Sequence, residues 1–325
     1  MATLNATIFA GPFKDIIKGL ETLNEQAVFE LDNSGLVIKC LDNDYTSVLR
    51  IQADKELFEE YTFNSSQSPL KLGIVLERLK DITKTLTVKD LVSLEYDGAT
   101  PQNLTISANG IRRTVRLVKL DLIKQVKQLP TPEDGFKFSG NVATKGLKDF
   151  VRTIPATVQD FKLIAGKNKL YLQAMHGEEP IEWNPTPKDW VVEEDAVTSY
   201  TVAKIKEVLH AAKKSEATIM GGQDLPIRIE WIQTEGLTFT AVVAPRMSKR
   251  VDMMRTKPTN YEAAKALVAI EETITVPALV GRLLDAGRRE MPTKRELSAK
   301  MMKDRDFLVI ERASGKTPTI FQRIN

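Results

Sequence analysis

The chain of 325 residues has few of the residue types that build disulfides, metal sites and catalytic triads. It contains one cysteine and two histidines, and 6% of its residues are aromatic. The single cysteine, Cys40, cannot form an intramolecular disulfide or a cysteine-rich zinc site, so we expect a reducing compartment. Neither His176 nor His210 lies in a metal-binding or triad pattern. We therefore expect no metal, no cofactor and no histidine-based catalysis.

Long hydrophobic runs and the motifs of common enzymes are also missing. No apolar run approaches the roughly 18 residues that a membrane-spanning helix needs, and the amino-terminal residues lack the basic region of a signal peptide. The sequence contains no glycine-rich phosphate-binding loop and no paired-carboxylate motif, and the Gly221–Gly222 pair is isolated. These absences predict an intracellular protein that is not membrane-bound and is not an enzyme.

Charge is divided unevenly along the chain. Residues 1–245 carry 29 basic and 33 acidic side chains, a net charge of −4, whereas residues 246–325 carry 17 and 10, a net charge of +7. The formal total of +3 therefore hides an acidic body followed by a basic segment. Such asymmetry is typical of a chain with a segment that faces nucleic acid.

An internal repeat organises the first 248 residues. A shift of 134 residues (147 − 13) superposes Phe13–Leu20 on Leu147–Ile154 without a gap, with apolar, basic and acidic positions matched. The same shift carries Leu41 onto Met175. A second helix-and-strand unit recurs at Leu79–Lys84 and Ile205–His210. Two copies of one supersecondary unit are the simplest explanation.

Half-buried strands surround these helices in both halves. Length and alternation predict strands at 27–31, 36–40, 91–96, 104–107, 114–118, 169–173, 217–220, 226–231 and 237–243. Each half thus has two short helices on a largely antiparallel sheet, an α+β architecture. Pro130 and Pro132 favour an extended connector between the halves. We divide the chain into residues 1–120, a connector 121–135, residues 136–248, a linker 249–259 and a domain 260–325.

Four segments, in this order on the internal repeat, resemble the PCNA-type DNA sliding clamps (proliferating cell nuclear antigen). They are the hairpin Leu31–Asp42, Leu57–Tyr61, Asp224–Glu230 and Val243–Met247. The resemblance covers roughly residues 3–248. It implies two repeated clamp domains per subunit and three identical subunits closed head-to-tail around duplex DNA. It also implies partners: DNA polymerase, other clamp-binding proteins and a clamp loader.

A clamp that slides needs cations on its inner wall, because phosphate neutralisation does not depend on sequence. The resemblance assigns this wall to the four repeated helices. Its predicted DNA-binding residues are Lys14, Lys18, Arg78, Lys80, Lys84, Lys145, Lys148, Arg152, Lys204, Lys206, Lys213 and Lys214. Glu21, Asp81 and His210 stand where the family often has bases, which predicts weaker contacts there. Taken singly, each lysine fits an ordinary solvent-facing helix position equally well.

The resemblance further implies a partner pocket beneath the connector, which receives a short motif with aromatic anchors. The matching residues are Leu41, Tyr45, Val126, Leu129, Pro130, Pro226, Val242, Ala244 and Pro245. For Leu41 and Val242 the alternative is a purely structural role in the core. Pro226 and Pro245 are more informative, because proline is restricted to sheet edges and bulges.

The carboxy-terminal segment predicts three helices and a β-hairpin. The helices are Tyr261–Glu272, Thr275–Leu284 with Thr275 as N-cap, and one opened by a capping box at Thr293–Glu296; the hairpin strands are 307–312 and 319–324. This order resembles a small winged-helix-like domain. The predicted DNA contacts there are Lys294, Arg295 and Lys300, with Lys303, Arg312, Lys316 and Arg323. The alternative is a protein-interaction module.

The leading functional hypothesis is a ring-shaped, non-enzymatic processivity clamp that holds a polymerase and repair factors on duplex DNA. The alternative is a clamp-derived transcription or recruitment factor whose winged helix binds DNA or RNA polymerase. We expect the protein in the cytoplasm at the nucleoid if the source is prokaryotic or viral, and in the nucleus if it is eukaryotic.

Overall fold

The computed structural model describes residues 2–65, 69–167, 169–213, 215–246, 260–286, 292–313 and 318–324. The chain forms two compact units, residues 1–248 and residues 249–325, which we call the large unit and the small unit. None of the helices in the described ranges is both long and apolar enough to cross a membrane.

The large unit is built from two copies of one succession of elements. The first copy comprises β1 (Thr3–Phe9), α1 (Ala10–Leu20), β2 (Gln26–Asp32), β3 (Gly35–Leu41), β4 (Ser47–Asp54), β5 (Glu60–Asn64), β6 (Leu70–Val75), α2 (Leu76–Thr83), β7 (Leu91–Asp97), β8 (Asn103–Ala108) and β9 (Ile111–Arg116). The second comprises β10 (Phe138–Ala143), α3 (Thr144–Thr153), β11 (Asp160–Gly166), β12 (Lys169–His176), β13 (Glu179–Trp183), β14 (Lys188–Val192), β15 (Ala196–Thr201), α4 (Val202–Val208), β16 (Glu216–Gly221), β17 (Ile227–Thr234) and β18 (Leu237–Val243). The predicted α+β class is confirmed.

Each copy pairs its strands in the same two sets, all antiparallel. The sheet β5-β1-β7-β8-β9 of the first copy corresponds to β14-β10-β16-β17-β18 of the second, and β4-β3-β2-β6 corresponds to β13-β12-β11-β15. In the middle of the nine-stranded sheet β18 pairs with β4, and this pairing merges two of these sets into one sheet. We call this β18–β4 pairing the internal junction. Strands β9 and β13 occupy the corresponding positions at the edges of the two other sheets.

The helices bury one apolar face each, because their apolar residues recur every three or four positions. Phe13, Ile16, Ile17 and Leu20 are buried on α1, and Leu147, Phe150 and Val151 are their counterparts on α3. At the internal junction α1 lies directly against β18: a Cβ added to Gly19 would stand 2.8 Å from the Phe239 ring. Glycine at this position therefore permits close packing between the two repeats.

The small unit has its own apolar core and comprises α5 (Asn260–Ala266), β19 (Thr273–Thr275), α6 (Val276–Asp285), α7 (Lys294–Met301), β20 (Phe307–Glu311) and β21 (Ile320–Arg323). Its sheet has the order β19-β21-β20. Two predicted helix starts are confirmed. Thr275 caps α6, and Thr293 with Glu296 forms the capping box of α7.

Two predicted element boundaries are wrong. The first helix of the small unit ends at Ala266 rather than at residue 272, because the chain turns with a left-handed Glu271 (φ 66°) and then forms β19, a strand that the sequence pattern did not indicate. Pro226 does not lie within a strand. It immediately precedes β17, as expected for a residue without an N–H to donate.

Candidate functional site

Two lysines, one arginine and one histidine lie close together where α1, α3 and α4 meet. We call these four side chains the cation cluster. Lys18 lies on α1, Lys148 and Arg152 lie on α3, and His210 follows α4. Burial is the first cause that lowers the pKa of Lys148, and the nearby Arg152 and Lys18 lower it further. Burial and the same neighbours also lower the pKa of His210. The positive charges of the cation cluster therefore repel one another, and a bound anion would relieve this repulsion.

Within the cation cluster, only Lys148 has a close hydrogen-bonding role in the protein. Its ammonium group donates to the backbone carbonyl oxygen of His210 at 3.3 Å and to that of Ala212. Lys18 and Arg152 are exposed, and neither makes a hydrogen bond or an ion pair within the described residues. Their charges are thus available to a ligand in solution.

The other predicted DNA-binding residues of the large unit are engaged in local contacts. Carboxylates pair with Lys80 (Glu21, 2.6 Å), Lys84 (Asp81, 2.6 Å), Lys145 (Asp149, 2.7 Å) and Lys213 (Asp15). Backbone carbonyls accept hydrogen bonds from Lys14 (Leu86), Arg78 (Arg116) and Lys206 (Ile154). Glu21 and Asp81, the residues that depart from the family pattern, therefore neutralise predicted contacts on α2. Exposed pairs of this kind are weak enough for phosphate to compete with them.

Lys204 does not have the predicted DNA-facing role. Its side chain is only 15% exposed, and its ammonium group lies 2.8 Å from Asp42, 2.7 Å from Asp44 and 3.3 Å from Glu207. Burial alone would lower the pKa of Lys204, but these carboxylates raise it above its ordinary value. Lys204 therefore ties α4 of the second repeat to the β3–β4 loop of the first.

Lys214 and Lys316 lie outside the described residues, as does the whole of the predicted linker 249–259. In the small unit Lys294, Arg295 and Lys300 are exposed on α7, and the Lys300 ammonium lies 5.8 Å from the centroid of the Tyr261 ring. Their contact with DNA stays a prediction.

The predicted partner pocket contains a cavity of about 180 Å³ beside the β3–β4 loop. Asp42 shapes this loop: its carboxylate accepts hydrogen bonds from the backbone of Thr46 (2.8 Å) and Ser47 (3.1 Å). Burial would raise the pKa of Asp42, but bonds from Lys204, Ser47 and Thr46 outweigh burial and lower it. The loop holds Tyr45 with φ 61° and 59% of its surface exposed, next to Leu41.

The structure places some predicted pocket residues elsewhere. Val242 is 3% exposed and pairs with Val48 within the internal junction, so its role is structural. The connector lines the cavity with Leu122, Ile123 and Lys124, and not with Val126, Leu129 or Pro130. Pro226, Ala244 and Pro245 are absent from the lining too, although the Ala244 N–H donates to the carbonyl of Thr46 in the β3–β4 loop.

Leu41 and Tyr45 line the cavity as predicted, but sequence reasoning missed its seven other lining residues: Asn24, Gln26, Asp42, Asn43, Leu122, Ile123 and Lys124. One signal was present in the sequence. Leu122 is an apolar residue in a polar connector, and it is 71% exposed in the structure. The Lys124 ammonium lies 3.3 Å from the centroid of the Tyr45 ring, a contact that no local pattern indicates.

The described residues contain no group of three or more histidine, cysteine, aspartate and glutamate side chains that could hold a metal ion. Burial raises the pKa of the Cys40 thiol to about 12, so this side chain is a core residue and not a nucleophile.

Residues 4–127 match the family model of the proliferating cell nuclear antigen N-terminal domain. This match spans the first repeat of the large unit, from β1 into the connector. A DNA polymerase sliding clamp from Pyrococcus furiosus is 25% identical over 250 residues, which cover 74% of this chain and 96% of that protein. A DNA polymerase sliding clamp from Haloarcula marismortui is also 25% identical, over 75% of this chain and 98% of its own.

Solved PCNA structures share the fold of the large unit. The complex of A. fulgidus PCNA with the C-terminal region of FEN-1 has a TM-score of 0.67 at 19% identity, and it covers 75% of this chain and 99% of the PCNA chain. The PCNA2–PCNA3 complex from Sulfolobus tokodaii has a TM-score of 0.61 at 20% identity, covering 74% of this chain and 99% of that one. The resemblance stated from the sequence is thereby confirmed for the clamp fold.

Proposed function

We propose that this protein is a DNA sliding clamp, a non-catalytic ring that encircles duplex DNA and tethers a DNA polymerase and other replication or repair proteins. The observation that carries the proposal is the pair of open edges, β9 and β13, which are the repeat counterparts of the paired strands β18 and β4. A chain that satisfies one such junction internally presents the two halves of a second junction at its ends.

Charge on the two edges favours their mutual pairing. Strand β9 carries Arg112, Arg113 and Arg116 and no acid, whereas β13 carries Glu179 and Glu182 and no base. An exposed strand edge pairs readily with another strand, and opposite charges select which one. Two β9 edges would repel each other, as would two β13 edges. Head-to-tail contact between different subunits is therefore preferred over symmetric dimers.

The internal junction supplies the register for this contact. When the equivalent strands are aligned at their first residues, a shift of 126 (237 − 111) relates β9 to β18 and a shift of 132 (179 − 47) relates β4 to β13. On this alignment the junction pairs Ala241–Leu49 and Thr240–Arg50 correspond to Val115–Ile181 and Thr114–Glu182. Glu182 would then stand opposite Thr114 with Arg112 and Arg116 diagonally on either side, within reach of long side chains. On the other face, Val115 and Ile181 would extend the apolar core.

An open depression beside β9 supports the same contact. It has a volume of about 390 Å³ and is lined by residues that include Ile82, Leu86, Ile106 and Ile111. At the internal junction α1 and the Phe239 ring meet in the equivalent place, with the Gly19 backbone between them. In a ring the corresponding helix of the next subunit, α3, would cover this apolar surface.

We expect three identical subunits, as the family resemblance implies, with the cation cluster facing the DNA backbone and a clamp loader opening one junction. Such a protein acts at the nucleoid of a prokaryote or at viral DNA, or in the nucleus of a eukaryote. The test has two parts. Light scattering should give the mass of three subunits. The loaded protein should stay on circular duplex DNA and leave it when the circle is cut.

A strict monomer at all concentrations would contradict the homotrimer, although one subunit of a heteromeric ring would behave in the same way. Mixing with candidate partner subunits separates these outcomes. Equal retention on circular and linear DNA would overturn encirclement itself.

For the small unit we propose a winged-helix-like module that adds a DNA contact through α7. The element order α5-β19-α6-α7-β20-β21 and the exposed bases Lys294, Arg295 and Lys300 support this. The test replaces all three by glutamine in the full chain. Duplex affinity should fall, and the slope of its salt dependence should decrease.

A recruitment role for the small unit is the second candidate, as in a clamp-derived transcription or recruitment factor. It is favoured by one observation: Leu308 and Ile310 on the edge strand β20 are 52% and 51% exposed. Unchanged DNA affinity in the glutamine variant, together with loss of a bound protein in a Leu308→Ser/Ile310→Ser variant, would select this alternative.

A further inference from the structure

The mouth of the partner pocket has an apolar rim and a polar interior. Tyr45 and Leu122 stand at the rim, 59% and 71% exposed, whereas Asn24, Gln26, Asp42 and Asn43 line the cavity between them. Exposed aromatic and aliphatic side chains beside a cavity are typical of a site that receives a peptide anchor. The polar interior provides hydrogen-bonding groups that fix its orientation.

Lys124 covers this rim. Its ammonium group lies 3.3 Å from the centroid of the Tyr45 ring, so the connector is held to the β3–β4 loop by a cation–π contact. Contacts of this type at exposed positions are weak. An incoming ligand that offers a carboxylate can therefore take the ammonium group from the ring and leave Tyr45 free to pack against an aromatic anchor.

Two acids of the β3–β4 loop are paired within the fold. Asp42 is 2% exposed, and both it and Asp44 are paired with Lys204, the residue that ties the loop to α4. The single charge of Lys204 offsets one of these two negative charges. A preference for acidic peptides therefore has to come from Lys124 together with the other lysines along the connector.

The surface under the connector is also positive. Lys39 and Lys71 share one acid, Glu30, at 3.3 and 2.7 Å. Lys39 also donates to the backbone carbonyl of Lys127 at 3.1 Å, and Lys71 to the side chain of Gln125 at 3.2 Å, so both lysines lie against the connector. The connector itself adds Lys119, Lys124 and Lys127 against a single acid, Asp121, over residues 119–127. This surface, which we call the basic rim, carries an excess of positive charge.

We propose that the pocket selects peptides whose aromatic anchor is flanked by acidic residues, and that Lys124 is the specificity-determining residue that exchanges Tyr45 for a peptide carboxylate. The inference rests on the proposed function, because it takes this cavity to be the partner-binding site. It adds the charge of the partner, which complements the basic rim.

The experiment uses the full-length protein and three synthetic peptides with the same pair of adjacent aromatic residues, flanked by three aspartates, three serines or three lysines. Binding is followed by fluorescence anisotropy at low and high salt. We expect the aspartate peptide to bind about tenfold more tightly than the serine peptide at low salt, and the difference to shrink at high salt because exposed charges are screened.

Two variants with the same change of charge separate the pocket from the rest of the surface. Lys124→Glu should abolish the preference for aspartate or reverse it in favour of the lysine peptide. The control is Lys167→Glu, which alters an exposed lysine in the β11–β12 turn of the other repeat and should leave the order unchanged. Tyr45→Ala should weaken all three peptides, since it removes the aromatic rim.

The outcomes are distinguishable. The charge preference would be overturned if all three peptides bound equally, or if the lysine peptide bound most tightly to the unmodified protein. Either result would still support peptide binding in the pocket. Equal loss of preference in Lys124→Glu and Lys167→Glu would overturn the role of Lys124. No binding of any peptide would overturn the partner pocket of the proposed function together with this inference.

Discussion

The internal junction and the two open edges are equivalent places in the repeat that carry different side chains. In the internal junction Phe239 faces Ile51, Ala241 faces Leu49 and Val242 faces Val48, and all six residues are buried. The open edges carry arginines on β9 and glutamates on β13. The internal junction is thus an apolar seam, and the contact proposed between the open edges of two subunits would be a charged seam.

This difference fits a permanent joint within the chain and, in the proposed ring, a reversible joint between chains. Apolar pairs are strong and non-directional, which suits two domains that always remain together. An edge that is exposed before assembly would aggregate if it were apolar, and charge prevents this while still favouring the opposite edge. The charged contact is also weakened by salt, unlike the apolar one.

The largest expected effect comes from breaking the apolar seam. Phe239→Ala removes a fully buried ring that stacks on Trp231 at 5.1 Å and contacts Gly19. We expect a loss of about 3–5 kcal/mol in the free energy of unfolding of the large unit. Urea unfolding measures this. The control Phe9→Ala alters a ring that is 38% exposed and should cost about 1 kcal/mol or less. Similar costs for both would mean that the seam does not hold the repeats together.

The next largest effect on stability is expected from the ion pairs that Lys204 makes between α4 and the β3–β4 loop. Lys204→Met leaves the Asp42 carboxylate, 2% exposed, without its cation, so we expect a loss of about 2–3 kcal/mol. The control is Lys206→Met, two residues further along α4. The Lys206 ammonium group donates to the carbonyl of Ile154, and its loss should change the free energy of unfolding by less than about 0.5 kcal/mol.

This tie also has a pH dependence with a definite sign. The pKa of Asp42 is lowered in the folded protein, so its contribution is present above the ordinary value of 3.8 and is lost as pH falls through the folded pKa. In Lys204→Met burial remains while the main opposing bond is gone, so the pKa of Asp42 rises. Acid destabilisation should then begin at higher pH. Urea midpoints that fall in parallel for both proteins as the pH is lowered from 7 to 3 would refute this.

A smaller effect is expected from the charged seam, and it concerns assembly rather than folding. Arg112→Glu/Arg116→Glu places acids on both edges and should weaken subunit association about 30-fold, which light scattering against concentration would detect. Unfolding of the monomer should be little changed. Adding Glu179→Lys/Glu182→Lys to the same chain restores opposite charges and should restore the ring. Failure of this reversal would show that other residues form the contact.

The smallest expected effect distinguishes the cation cluster from the paired lysines of α2. The pKa of His210 is below its ordinary 6.5, so the residue is neutral at pH 7 and becomes cationic on acidification. Duplex affinity should therefore rise about threefold between pH 7.5 and 5.5, because phosphate stabilises the protonated ring. His210→Gln should flatten this dependence. A flat profile in the unmodified protein would remove His210 from the DNA-facing surface.

Periodic features of the fold could be read from the sequence. The gapless match of Phe13–Leu20 to Leu147–Ile154 identifies α1 and α3, since apolar spacing every three or four residues reports one buried helix face. The capping box at Thr293 is equally local, because four consecutive residues make its reciprocal bonds. Strands that alternate in polarity, such as β8, were found for the same reason.

Side-chain partners could not be read in this way. Lys204 has the spacing of a DNA-facing lysine, yet its three carboxylates include Asp42 and Asp44, more than 150 positions earlier in the chain. Val242 has the position of a pocket residue, but pairing with β4 buries it. Strands such as β13, with a proline and two glutamates, carry no strand signal because they lie at an edge.

Local sequence patterns were enough to find the repeat, the helix faces, the division of charge and the resemblance to sliding clamps, because each of these depends on residues that lie close together along the chain. The tertiary structure was needed to show which edges are paired and which stay open, which lysines are neutralised and which remain available, and which residue contacts the Tyr45 ring. Those properties depend on distances between residues far apart in sequence, and such distances are set by the packing of the two repeats against each other.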